Sequence, residues 1–275
     1  MRSCARFRDP FTAMQPRLLL LALVAALLPS WAGAAGTLDR VRAAGAVRVC
    51  IWPEYYGITY RHPRSGELTG VDIDMSRELG KALGVRVEYV DSSFPRLLPD
   101  VTEGRCDVAM FAVGVTPQRQ AVLGFTRPHL RSDFLGVATR SSKAVPTWEE
   151  MDRPGVVVAV SAGTVMEPVM RERLRQATLL VVRPPATREG EVQAGRADVF
   201  ITDYPYTRRL ADNADWARLV APKRPFHLVS YAYAVRPGDA EWLAYLDAFL
   251  DQARRDGRLA SAARAHGLDP IVVRE

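Results

Sequence analysis

The chain has 275 residues, 48% hydrophobic and 25% charged, the balance of a soluble globular protein long enough for one large or two ordinary domains. Its formal charge of +6 falls to +3 when residues 1–35 are set aside, because four Arg and Asp9 leave with them. What remains has no block of like charge and no basic stripe with interleaved aromatics, which argues against a nucleic-acid partner.

At the amino terminus, Arg2, Arg6, Arg8 and Arg17 precede the apolar run 18–28, and small residues follow through Ala35. A basic head, a run too short to span a bilayer comfortably and a small-residue exit predict a signal peptide over 1–35, cut after Ala34 or Ala35. Met14 is an alternative start, since Met14 to Ala35 already forms a complete signal. No Leu-x-x-Cys box precedes the cut, so the mature chain is expected free in the periplasm. Cys50 and Cys106 remain after cleavage, and an even count in an oxidising compartment suggests one disulfide. Register speaks the other way. If the two cysteines sit on parallel neighbouring strands offset by roughly four residues, about 13 Å separates them.

In chain order, Leu38 to Ala44 predicts a short helix and Val47 to Ile51 a buried strand running into the aromatic loop 52–61. The Pro and Gly spacing of 62–70 predicts a hairpin turn. From Val71 the apolar period becomes helical until Gly84, with Asp72 and Asp74 at the amino end complementing the dipole. Val85 to Val90 alternates as a strand, and Leu97 to Val101 reads as a short helix. Asp107 to Phe111 is a buried strand that breaks at Ala112 and Gly114 before a helix starting at Thr116-Pro117. Arg119, one turn in, then points back to the carboxyl end of that strand, where open α/β sheets bind ligands and a guanidinium can clamp a carboxylate. Up to here the order is that of one parallel α/β layer. A second unit repeats it, with strands at 155–160, 179–185 and 197–203. Gly163 and Thr164 stand at one helix start, and Asp203 at a second strand break. Two lobes facing each other across such strand ends make a cleft.

Six phrases in order, among them RVCIWPEYYGITY, EGRCDVAMFAVGVTPQR, VVVAVSAGT and GRADVFITDYP, resemble the family 3 extracellular solute-binding proteins, the periplasmic receptors of polar amino-acid ABC transporters. The resemblance implies a type II periplasmic-binding fold. Lobe 1 would be 37–131 plus 230–275 and lobe 2 would be 134–227, with hinge crossovers at Arg131 to Asp133 and His227 to Ser230. It further implies that Arg119 takes the ligand carboxylate, with Thr164 and the amides after Gly163 completing the anion site. Asp203 and the Ala112 carbonyl would take an ammonium, and Tyr55 and Phe94 would cover the ligand. Trp52 stands where binders of polar side chains often carry an acid. Gly114 stands where amino-acid binders usually have a hydroxyl, which puts the amine site in doubt.

The function expected is capture of a small amino acid or related carboxylate by a monomer, without a cofactor or metal, for delivery to an ABC-type permease in the inner membrane. The chain is expected not to be an enzyme. Three alternatives stand beside this. Similar phrases occur in solute-binding-like partners of periplasmic quinoprotein dehydrogenases, and a sensor subunit would read the same way. Cyclohexadienyl and arogenate dehydratases also resemble these receptors and need an acid, which Glu54, Glu167 or Asp203 could supply. Their second-lobe loop carries an acid soon after the Gly-Thr pair, whereas here Val165 and Met166 intervene before Glu167. The chain has no HExxH, GxSxG, P-loop or CxxC signature.

Overall fold

The computed structural model describes residues 36–274; the expected signal peptide lies outside the described residues. Helix α1 (Thr37–Ala44) buries Leu38 and Val41 and leads into β1 (Ala46–Ile51). A small antiparallel sheet follows, made of β2 (Glu54–Tyr55), β3 (Thr59–Arg61) and β4 (Leu68–Thr69). Helix α2 (Val71–Leu83) buries Ile73, Met75 and Leu79 and returns the chain to β5 (Arg86–Asp91). Then come α3 (Leu97–Thr102), β6 (Val108–Gly114), the single turn α4 (Pro117–Gln120), β7 (Gly124–Phe125) and β8 (Leu130–Ser132).

The second half begins with β9 (Phe134–Thr139), β10 (Val157–Ser161), α5 (Met166–Arg173) and β11 (Thr178–Val182). It continues through α6 (Arg188–Gln193), β12 (Val199–Asp203), α7 (Tyr204–Asn213) and β13 (Ala217–Val220). Strand β14 (Val229–Val235) and helices α8 (Ala240–Arg255) and α9 (Arg258–Ala265) close the chain.

Two main sheets result, one to each lobe. The first has the order β5-β1-β6-β14-β7, with β8 also on β14; the second has the order β11-β10-β12-β9-β13. In both, helical crossovers make the first three strands parallel, as a crossover helix permits. The first sheet is not the purely parallel layer expected, because β14 returns from the far end of the chain and pairs antiparallel with β6, β7 and β8. Its centre is packed by Ile51, Phe111, Tyr233 and Trp242, all fully buried.

The chain leaves the first sheet after Ser132 and re-enters it at Val229, and Asp133 ties the two passages together. Its carboxylate accepts from Phe134 N (2.8 Å), Phe226 N (2.8 Å) and His227 N (2.7 Å). Cys50 and Cys106 form a disulfide with a Cα–Cα separation of 5.5 Å. The register objection fails because Cys106 precedes β6, which begins at Val108, so strand rise does not set its position.

The predicted break at Ala112 also takes another form. Strand β6 continues to Gly114, but Ala112 has φ +48° and the pairing with β14 slips between Ala232 and Ala234, so the strand bulges rather than ends. Asp72 holds the bulge: its Oδ2 accepts from Ala112 N (2.8 Å) and its Oδ1 lies 3.0 Å from His129 Nε2. Fully buried, Asp72 keeps the expected place in the first turn of α2, and its carboxylate also serves the bulge, a role that the sequence does not announce.

Candidate functional site

The carboxyl ends of β6 and β12 face each other, and the side chains there enclose one inner cavity. Trp52, Tyr55, Phe94, Ala112, Gly114 and Arg119 come to it from the first half of the chain. Thr164 and Asp203 come from the second. Gly163 adds its carbonyl through Arg119, so the structure gathers all nine residues singled out in the sequence. The cavity holds ≈ 20 Å³, enough for about one water molecule. An outer chamber of ≈ 330 Å³ shares Trp52, Phe94 and Arg188 with it.

Arg119 is placed by its local sequence. Thr116 caps α4 by accepting from Arg119 N (3.2 Å), and Pro117 occupies the first turn, where its missing N–H costs nothing. The guanidinium donates to Gly114 O and Gly163 O, both at 2.8 Å, and its Cζ lies 5.6 Å from the centre of the Phe94 ring. Burial lowers its pKa to about 10, which leaves it charged at neutral pH. Among the described residues no carboxylate pairs with it; only the two backbone carbonyls accept from it. A buried cation without an opposite charge is costly, and an incoming anion relieves that cost.

Asp203 ends β12 and caps α7, accepting from Tyr206 N (3.3 Å). Its Oδ2 also accepts from Tyr231 Oη (2.7 Å) and from Tyr55 Oη. Burial pushes its carboxyl above the usual range against the opposing pull of the two phenols, and burial raises both phenols well above theirs. Trp52, Tyr55 and Phe94 form a triangle with ring centres 5.2–5.9 Å apart, and Phe94 contacts Phe111 at 5.3 Å.

Two glycines record how tightly the lobes meet. A Cβ on Gly114 would lie 2.7 Å from Val165 Cγ1 and 3.0 Å from Val229 Cγ1, so the hydroxyl side chain absent here does not fit the closed cavity. Gly163, at φ +74°, faces the backbone of the opposite lobe: its Cβ would meet Pro95 N at 2.7 Å and Phe94 C at 2.9 Å. Its amide is engaged by Glu167 Oε2 (3.0 Å), while Thr164 Oγ1 donates to Ser161 O (2.7 Å) rather than capping α5, which starts at Met166.

Sequence patterns missed Arg188, Met166 and Tyr231, all of which line the inner cavity. A period-2 reading of β14 puts Tyr231 and Tyr233 on one face but does not say that Tyr231 meets Asp203.

The sequence profile of the bacterial extracellular solute-binding proteins, family 3, matches residues 47–268. The chain belongs to that family. Among its relatives, cyclohexadienyl dehydratase of Pseudomonas aeruginosa is 31% identical over 223 residues, 81% of this chain and 82% of the relative. The amino-acid-binding protein AabA of Dichelobacter nodosus is 29% identical over 214 residues, 76% of this chain and 82% of the relative. Among solved structures, an ancestral amino acid-binding protein described as a precursor of cyclohexadienyl dehydratase superposes with a TM-score of 0.74 at 28% identity, covering 84% of this chain and 99% of that one. The two-lobed periplasmic-binding fold and membership of a solute-binding family follow.

The dehydratase overturns one expectation, that this member of the family is not an enzyme. Of the three acids considered for such chemistry, Asp203 alone lines the inner cavity. Glu54 lies in the outer chamber, and Glu167 is occupied by Gly163 N and by Arg171 (3.1 Å).

Proposed function

We propose that this solute-binding protein captures a small amino acid or related carboxylate between its lobes, pairs the carboxylate with Arg119, and delivers the ligand as a periplasmic monomer to an ABC-type permease. The observation that carries the reading is the buried, charged and carboxylate-free guanidinium of Arg119. On this reading lobes 37–131 plus 230–275 and 134–227 swing about the crossovers at Arg131 to Asp133 and His227 to Ser230, with Asp133 as the common tether. Opening breaks the contacts from Arg119 to Gly163 O and from Tyr55 and Tyr231 to Asp203. Those donors are then available to a ligand, and Trp52, Tyr55, Phe94 and Thr164 close around it. The test is a thermal-shift screen of amino acids and small organic acids followed by uptake in cells lacking the gene. Stabilisation by no member of either class would sink the reading.

One observation favours a second reading. Asp203 is a buried carboxylic acid pushed toward its protonated form and held by two phenols, the state required of a proton donor to a leaving hydroxyl. In a decarboxylative dehydration of a cyclohexadienyl acid, with Arg119 on a substrate carboxylate, the ring carboxylate would leave as CO2 while its bonding electrons expel the hydroxyl, which takes the proton of Asp203 and leaves as water. Asp203 would thus stand in for the acid of the Gly-Thr loop in the dehydratases, and here that loop presents Met166 to the cavity. Formation of phenylpyruvate from prephenate, lost in Asp203→Asn, supports this reading, and its absence in the wild-type protein removes it.

A further inference from the structure

Arg188 carries no motif, yet it is only 5% exposed and borders both the inner cavity and the outer chamber. Thr187 caps α6 by accepting from Gly190 N (3.1 Å), and Arg188 is the first residue of that helix. Its Nη1 donates to Ile201 O (2.7 Å), and its Cζ lies 5.1 Å from the centre of the Phe200 ring and 4.9 Å from that of Tyr206. These contacts fix the guanidinium without using it up. Glu189 Oε1 makes a long ion pair with Nε at 3.6 Å, beyond hydrogen-bond distance, and no described residue accepts a hydrogen bond from Nη2, which leaves that edge of the guanidinium for a ligand.

Two buried guanidinium groups, Arg119 and Arg188, thus border one small cavity whose single lining carboxylate is Asp203. Oδ2 of that carboxylate is already taken by Tyr55 and Tyr231. Glu54 and Glu189 border the outer chamber and not the inner cavity. The side expected to hold an ammonium is poor, since Gly114 brings no hydroxyl and its surroundings leave no room for one. A zwitterion would satisfy one guanidinium and add a cation beside the other. A dianion satisfies both.

We propose that Arg188 is a second carboxylate-binding residue, and that the cleft selects a short dicarboxylate held between Arg119 and Arg188. This rests on the reading of the cleft as a carboxylate site and narrows its substrate class. Removing one partner of a buried charge pair weakens binding by about 30-fold or more.

The test is calorimetric titration of the purified protein with succinate and glutarate, their half-amides succinamate and glutaramate, and alanine, repeated in Arg188→Gln and Arg119→Gln. Wild-type protein is expected to bind a diacid at least about 30-fold tighter than its half-amide. Arg188→Gln should abolish that preference by weakening the diacid alone, and Arg119→Gln should weaken both. Equal binding of diacid and half-amide by the wild-type protein overturns the proposal without needing a folded variant, and leaves the carboxylate reading intact. So does a preference that survives Arg188→Gln, or binding of alanine alone through Arg119. Binding of none of these probes overturns the proposal, while the carboxylate reading stands or falls on the wider thermal-shift screen of amino acids and organic acids.

Discussion

Replacing Gly163 with Ala tests whether closure of the lobes is the working motion of this protein. The new Cβ would stand 2.7–3.0 Å from Pro95 N, Phe94 C and Pro95 Cα, backbone atoms of the opposite lobe that cannot rotate away. At φ +74° the substitution also costs about 1–2 kcal/mol of left-handed strain, but that is paid in open and closed forms alike. Gly155→Ala separates the two effects, because Gly155 has φ +83° and nothing within 4 Å of the built Cβ. Overpacking costs about 1–3 kcal/mol, and here it falls on the closed form only, so ligand affinity should drop roughly 5- to 150-fold in Gly163→Ala and stay unchanged in Gly155→Ala. Calorimetry with a ligand from the thermal-shift screen gives the affinities, and small-angle scattering of both variants shows whether Gly163→Ala stays extended at saturation. Equal affinities and equal compaction in the two variants would refute the reasoning.

Asp203 sits in a site that raises its carboxyl pKa, so the folded state is relatively favoured below the unfolded value of about 4 and loses stability as pH rises through the folded value. The melting temperature of Asp203→Asn relative to wild type should therefore climb as pH goes from about 4 to 8; a gap independent of pH contradicts the buried-acid account. The Cys50–Cys106 bridge spans a sequence separation of 56, so reduction or Cys50→Ser should cost about 2–4 kcal/mol, a fall of roughly 5–15 °C in Tm. Calorimetric scans with and without reductant check this. Asp133→Ala removes the acceptor for three crossover amides, and hydrogen exchange should quicken at Phe134, Phe226 and His227 while the strands of both sheets keep their protection.

Much of the fold was legible because its signals are local. Thr116-Pro117 starts a helix at the end of a buried apolar run, and that alone puts Arg119 at a strand end; Asp203 is placed by the same strand-to-helix logic. Arg188 was not legible, because a residue at the start of a short polar helix reads as solvated until Phe200 and Tyr206 are folded over it. Asp72 and Tyr231 act through partners 40 and 28 residues away, Ala112 and Asp203, and no periodicity encodes those pairings. The bulge at Ala112 escaped because it is a departure of a strand from ideal geometry, and the same assumption of ideal register spoke against the disulfide that the cysteine count suggests.

The central claim, that the cleft is built for an anion, rests on Arg119, and the most direct measurement is thermal shift of wild type and Arg119→Ala against amino acids and small organic acids. A ligand at 100 times its Kd should stabilise the wild-type protein by about 2.7 kcal/mol, roughly 5–10 °C for a chain of this size. The account predicts that a carboxylate produces this shift and that Arg119→Ala, still folded, loses it. An equal shift in both proteins would contradict it.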